Sequence, residues 1–170
     1  MRESHPAVFR VRMIRRSEWK DAMALCWRVF LEFEADLYPE EGCQSFYRFV
    51  TDEHLNLAWM NGGYPVCAAF AGEEMIGVAA IRSGCHLSLL FVEGIYQGRG
   101  VGRALVSYMQ DFIMGSDEHP AYERMTVNAS PIAIGFYHHL GFQDTGPRQT
   151  KDGILYTPME VRLIKEEKPL

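Results

Sequence analysis

Nowhere in these 170 residues is there an apolar run of about 20 that could cross a bilayer, or a charged-then-apolar leader of the secretory kind. A cytoplasmic protein with no membrane partner is the expectation. Basic residues are also scarce. Lysine and arginine total 17 against 22 acids, a net charge of −5, and they do not cluster. Binding to nucleic acid needs such clusters to neutralise phosphates, so no nucleic-acid partner is expected. Cysteine is rare too: Cys26, Cys43, Cys67 and Cys85 have no metal-ligand spacing and no reason to pair, and are expected reduced and mostly buried. No linker, low-complexity run or repeat divides the chain. A single domain over residues 1–170, with its core from about 9 to 163, is expected, since a chain of this length buries roughly 70% of its unfolded surface. The 48% apolar and 23% charged fractions are those of an ordinary soluble protein.

The most informative segment runs from Phe91 to Gly102, Phe-Val-Glu-Gly-Ile-Tyr-Gln-Gly-Arg-Gly-Val-Gly, followed by an amphipathic stretch from Arg103 to Met114. The pattern reads strand, glycine-rich turn, helix. Glycines at 98, 100 and 102 allow positive φ and a row of unobstructed N–H groups at a helix N-terminus, which suits phosphate. It is not a P-loop, because no Gly-Lys-Ser/Thr closes it. Nor does it match a dinucleotide fingerprint: the spacing is G-x-G-x-G past the middle of the chain, and the strand that would carry the acid ends in Asn128.

Gln97-Gly98-Arg99-Gly100-Val101-Gly102 resembles the Q/R-x-x-G-x-G/A motif of the Gcn5-related N-acetyltransferase (GNAT) superfamily. Val127-Asn128-Ala129-Ser130 and Phe136-Tyr137-His138-His139-Leu140-Gly141-Phe142 are similar to that family's later strand and F-Y-x-x-x-G-F segment. The pieces stand in the family's order and spacing.

Periodicity sets the expected elements. These are a strand over Phe9–Ile14, a helix capped by Ser17 with Trp19, Ala22, Met23, Cys26, Phe30 and Phe33 inward, a helix over Glu41–Val50, and a short helical turn over Asp52–Met60. A hairpin joins Val66–Phe70 to Met75–Ile81, and His86–Val92 reads as a strand buried on both faces. The helix after the glycine turn should bury Val101, Leu105, Tyr108, Met109, Phe112 and Ile113. A strand over Tyr122–Asn128, a helix over Pro131–Leu140 ended by Gly141, a polar loop over Asp144–Gly153 and a strand over Ile154–Val161 complete the order. The expected fold is mixed α/β. The resemblance adds a mostly antiparallel central sheet that splays after the fourth strand, flanked by helices.

The resemblance implies an acetyl-CoA-dependent N-acetyltransferase in which an amine attacks the bound thioester directly, with acetyl-CoA as cosubstrate and no metal. Gln97, Gly98, Arg99, Gly100, Val101 and Gly102 would offer N–H groups to the pyrophosphate. Arg99 or Arg103 would add charge-assisted contacts. Leu90, Phe91 and Val92 would pair with the pantetheine arm and supply an oxyanion donor. Asn128 can bond the arm, or simply end its strand. Tyr137 stands where the family has its general acid; the competing reading is a core aromatic.

Two residues are candidate bases. His86 lies six residues before Val92, roughly 20 Å of strand, where some histone-acetylating members carry glutamate. Glu34 belongs to the acidic run Glu32, Glu34, Asp36, Glu40, Glu41, which is compatible with a cationic substrate, although such a run is more often just a solvated loop. His138 and His139 read as helix-surface residues. The expected partner is a small-molecule or peptidyl amine. Oligomeric state stays open, a homodimer included. The reading from a different class is a non-catalytic acyl-CoA-binding or sensor protein of the same fold.

Overall fold

The computed structural model describes residues 8–115 and 122–164. The strands are β1 (Arg10–Met13), β2 (Val66–Ala71), β3 (Glu74–Arg82), β4 (His86–Val92), β5 (Arg124–Ala129), β6 (Gln143–Asp144), β7 (Gln149–Lys151) and β8 (Ile154–Arg162). The helices are α1 (Trp19–Phe33), α2 (Glu40–Val50), α3 (Glu53–Met60), α4 (Val101–Met114) and α5 (Ile134–His139). The strands form one sheet in the order β1-β2-β3-β4-β5-β8-β6, with β7 on β8. Every pair is antiparallel except β4 with β5. The mixed, mostly antiparallel sheet flanked by helices is the expected architecture.

Each face of the sheet carries its own core. On one side Leu105 and Met109 of α4 and Tyr137 of α5 pack with Ile76, Leu87 and Met125. On the other, Leu25, Cys26 and Val29 of α1 pack with Val66, Val78 and Leu89. Cys26 and Cys67 are wholly buried, Cys43 and Cys85 half-buried, and all four are free. Burial pushes the Cys67 thiol up to about 12 and raises that of Cys85.

The entrance to α1 departs from expectation. Ser17 makes no capping bond; it lies in a one-turn 3-10 helix, Arg16–Glu18. Glu18 organises the turn instead. Its Oε2 accepts the Arg15 N–H at 2.7 Å, and its carboxylate takes both Nη atoms of Arg12, at 2.9 and 2.7 Å. Arg12 also lies 4.1 Å from the centroid of the Phe70 ring. A bidentate pair outbids a serine cap. Other boundaries shift by one to three residues. Helix α5 starts at Ile134, because Pro131 sits in a turn closed by the Ala133 N–H on Ser130 O at 2.9 Å. Phe112, expected inward, is 43% exposed. The polar loop contains two short strands, β6 and β7, which pair with β8.

Strand β4 is the exception that builds the site. Ala80 faces Leu89 and Ile81 faces Leu87, so Ser88 is an extra residue, a bulge that bends the strand. Before it, among the described residues, β4 pairs with β5 only through His86↔Thr126 and Leu87↔Val127. The two strands then part. Leu90, Phe91 and Val92 are half-buried rather than buried on both faces, because one edge of the strand faces an open wedge.

Candidate active site at the parting of β4 and β5

Alternation decides which backbone groups face the wedge. The Glu93 N–H bonds Ile76 O on β3 at 2.9 Å, which assigns residues 93 and 91 to that side. The peptide groups of Leu90 and Val92 therefore point away from β3, towards the gap, and have no strand partner there among the described residues. The Val92 carbonyl is taken by Nε2 of Gln97 at 3.0 Å, which ties the glycine turn to the strand.

The turn then enters α4. Gly98 and Gly100 have φ of +73° and +85°, the left-handed region expected of them. Gly102 does not share it. A β-carbon there would lie 3.2 Å from the Phe136 ring, so its glycine serves close approach between α4 and α5. Among the described residues, adjoining ones aside, no atom lies within 4 Å of a β-carbon built on Gly98 or Gly100, so the turn has open space on that side. Arg99 lies over the Tyr96 ring, 5.9 Å from its centroid, and the Arg103 side chain is exposed on the first turn of α4.

A groove of about 280 Å³ runs from this turn along the wedge, lined by Phe33, Leu90, Val92, Gly98, Gly102 and Tyr137 among others. Tyr137 is 5% exposed, with Phe136 and Phe142 edge-on at 5.1 and 5.2 Å. Burial, reinforced by the charge of Glu34, raises its phenol well above the usual range, so it stays protonated.

A second cavity, about 410 Å³, opens on the α1 and α2 face and includes Phe30, Tyr38, Phe46, His86, Asn128 and Tyr156. Glu34, Phe91 and Ser130 line both spaces, so the groove and the cavity meet there. Glu34 is not in a loop: it caps the C-terminus of α1, its N–H bonding Phe30 O at 2.8 Å. Its Oε1 accepts the Tyr38 hydroxyl at 3.2 Å. Burial raises its pKa, with Ser130 and Tyr38 hydroxyls pulling the other way. Of the acidic run, Glu34 alone lines this cavity; Glu32, Asp36, Glu40 and Glu41 are exposed outside it.

His86 lies further down the same cavity. Its Nδ1 is 2.8 Å from Thr126 Oγ1, and burial with the nearby Arg82 charge lowers its pKa to about 4. Asn128 lines the cavity and is not among the residues of the groove. His138 Nε2 pairs with Asp144 Oδ1 at 2.7 Å on the surface. Tyr38, Ser130 and Arg82 were not among the expected site residues. Ser130 closes the Val-Asn-Ala-Ser segment and Tyr38 lies within the acidic run, so both had a local signal.

The far wall of the cavity is the tip of the β7–β8 hairpin. Asp152, at φ +52°, gives its carbonyl to the Ser45 hydroxyl at 2.8 Å. Beside it Gly153 and Gly42 touch backbone to backbone, and a β-carbon on either would collide with the other.

The family profile described as acetyltransferase (GNAT) domain matches residues 34–163. No curated protein matches the chain in sequence. Among solved structures, the GCN5-related N-acetyltransferase "Aminotransferase, Class-II" of Rhodopseudomonas palustris is 21% identical with a TM-score of 0.78, covering 95% of this chain and 99% of that one. The PaiA N-acetyltransferase of Thermoplasma acidophilum, solved with coenzyme A, is 17% identical with a TM-score of 0.71, over 91% and 99%. The ribosomal-protein-S18-alanine N-acetyltransferase of Escherichia coli is 17% identical with a TM-score of 0.64, over 96% and 99%. These identities speak for a shared fold, and the family match covers most of the length. The chain belongs to the acetyltransferase (GNAT) domain family and is, by that membership, an N-acetyltransferase.

Proposed function

We propose that the protein moves an acetyl group from acetyl-CoA to a primary amine by direct attack, with Glu34 as general base and Tyr137 as general acid. The observation that carries this reading is the position of Glu34 on the wall shared by the groove and the second cavity. The groove suits an extended thioester: an open glycine turn at the N-terminus of α4 for the pyrophosphate, then a free strand edge for the pantetheine amides.

An aliphatic amine has a pKa near 10.4 and arrives as ammonium, so it must lose a proton before it attacks. Glu34 has a carboxylate made more basic than usual and steadied by the Tyr38 hydroxyl. It takes that proton where the cavity meets the groove. The amine then attacks the thioester carbon, and the N–H of Leu90 or Val92, aimed at the wedge, meets the developing oxyanion. Expulsion of the thiolate, pKa near 8.5, is completed by a proton from Tyr137, whose phenol remains protonated throughout the neutral range, and the tyrosinate so formed takes up the surplus proton of the attacking nitrogen as the amide forms. The transfer needs no covalent carrier. His86 fits the base role less well. Its imidazole is neutral but has lost basicity, and it lies at the opposite end of β4 from the groove.

Coenzyme release measured as free thiol, with a panel of primary amines, tests the reading. Amine-dependent thiol release is expected, together with binding of coenzyme A in preference to NAD. Tight acetyl-CoA binding with no amine-dependent release would favour the non-catalytic sensor instead.

A further inference from the structure

The second cavity is amphiphilic in a particular order. At its inner end stands the carboxylate of Glu34. Its middle is aromatic: Phe46 stacks on Phe30 with centroids 4.3 Å apart and meets Phe91 at 5.4 Å. At its outer end stands Arg82, the cross-strand partner of His86, with Lys151 on the hairpin tip as a second cation. Neither cation has an acid within ion-pair distance among the described residues, although Arg12, Arg28 and Arg124 are all paired. Asp152 adjoins Lys151 on the hairpin and offsets part of its charge, which leaves Arg82 as the stronger anion site. Glu34 shares the groove wall with Leu90, whereas Arg82 stands across from His86; the four steps of β4 between Leu90 and His86 span roughly 13 Å, which sets the two charges at opposite ends of the cavity.

Resting on the transferase reading above, we propose that the acceptor is an amine with an aromatic or bulky apolar body and a carboxylate at its far end. The ammonium meets Glu34, the body fills the space beside Phe30, Phe46 and Phe91, and the carboxylate takes the Arg82 fork with support from Lys151. This differs from the net-cationic acceptor that the acidic run suggests, because four of the five acids lie outside the cavity.

The test compares three amines of matched shape by thiol release: 4-(2-aminoethyl)benzoate, 4-methylphenethylamine and 4-(aminomethyl)phenethylamine, with neutral and cationic tails respectively in the last two. For the parent protein the benzoate should have the highest kcat/KM, by at least about tenfold over the methyl compound, the scale of one charge-assisted pair. In Arg82→Gln that ratio should shrink to within about threefold, and in Arg82→Glu it should invert, with the cationic-tailed amine becoming the best of the three. The ratio is read within each variant, so a general loss of activity cancels. Equal kcat/KM for the benzoate and methyl compounds in the parent, or a ratio unmoved by Arg82→Glu, would overturn the proposal while leaving the transferase reading intact. Thiol release with none of these amines, nor with any in the wider panel, would overturn both.

Discussion

Replacing Tyr137 with phenylalanine separates chemistry from packing at the centre of the site. The ring is 5% exposed and held edge-on by Phe136 and Phe142. Phenylalanine keeps that volume and both aromatic contacts. Among the described residues no hydrogen bond to the hydroxyl contributes to its raised pKa, and the residue lines the groove. The fold should therefore lose almost nothing, and the melting temperature should move by less than about 2 °C, since 1 kcal/mol corresponds to roughly 2–4 °C in a protein of this size. If the hydroxyl protonates the leaving thiolate, kcat should fall by about 10²-fold or more, about 2.7 kcal/mol of transition-state stabilisation, with coenzyme A affinity intact. Tyr137→Ala supplies the contrast. It empties a buried ring site, at a cost of about 3–5 kcal/mol, and should melt roughly 6–20 °C lower. The assays are thermal melts, calorimetric titration with coenzyme A, and thiol release at saturating acetyl-CoA with chemistry shown to limit the rate. A parent-like kcat in Tyr137→Phe would remove the hydroxyl from the mechanism and leave solvent as the acid.

Three further predictions address the rest of the site. Because burial raises the Glu34 pKa above its unfolded value, the native state loses stability as pH rises through that interval; Glu34→Gln should thus melt higher than the parent at neutral pH while kcat/KM falls by about 10²-fold. A lower melting temperature at pH 7, or undiminished turnover, would contradict the assignment. Gly100→Val puts a β-branched residue at φ +85°, a strain of about 1–3 kcal/mol, and should weaken coenzyme A binding at least tenfold in calorimetry while the far-ultraviolet circular dichroism stays native. Unchanged affinity would remove the turn from the binding site. Gly42→Ala forces the β7–β8 hairpin tip off α2, so the amine KM should rise with coenzyme A affinity unaltered; equal losses in both would mean the contact supports the fold as a whole.

What could be read from the sequence depended on how local the determinant was. Strand β4 and the glycine turn were legible because an apolar run and three alternate glycines carry their own conformational meaning within a dozen residues. The expected bounds of β4, His86–Val92, are those observed. The parting of β4 from β5 had no such signal and came from family resemblance alone. It depends on one extra residue, Ser88, whose hydroxyl meets that of Tyr64 at 2.9 Å across 24 positions of chain. The strands β6 and β7 were missed for a related reason. They are two and three residues long, wholly exposed, and exist only because β8 offers them edges.

The choice of base shows the same limit acting on chemistry. By residue type, His86 was the natural candidate, since an unperturbed imidazole titrates near neutrality and a carboxylate far below it. The fold reverses that order. A half-buried imidazole beside Arg82 is driven down to about 4, whereas Glu34, in an acidic run that reads as solvated, is turned inward by the last turn of α1 and made more basic. Desolvation moves acids up and bases down, so two groups lining one buried cavity converge and can exchange roles. Reading a base from sequence therefore requires knowing which face of a helix end is covered. Here the cover is Tyr38, and behind it the backbone contact between Gly42 and Gly153, joining parts of the chain that lie 107 positions apart at the neighbouring Ser45 to Asp152 bond. The basicity proposed for Glu34 thus belongs to the folded chain and not to its local sequence.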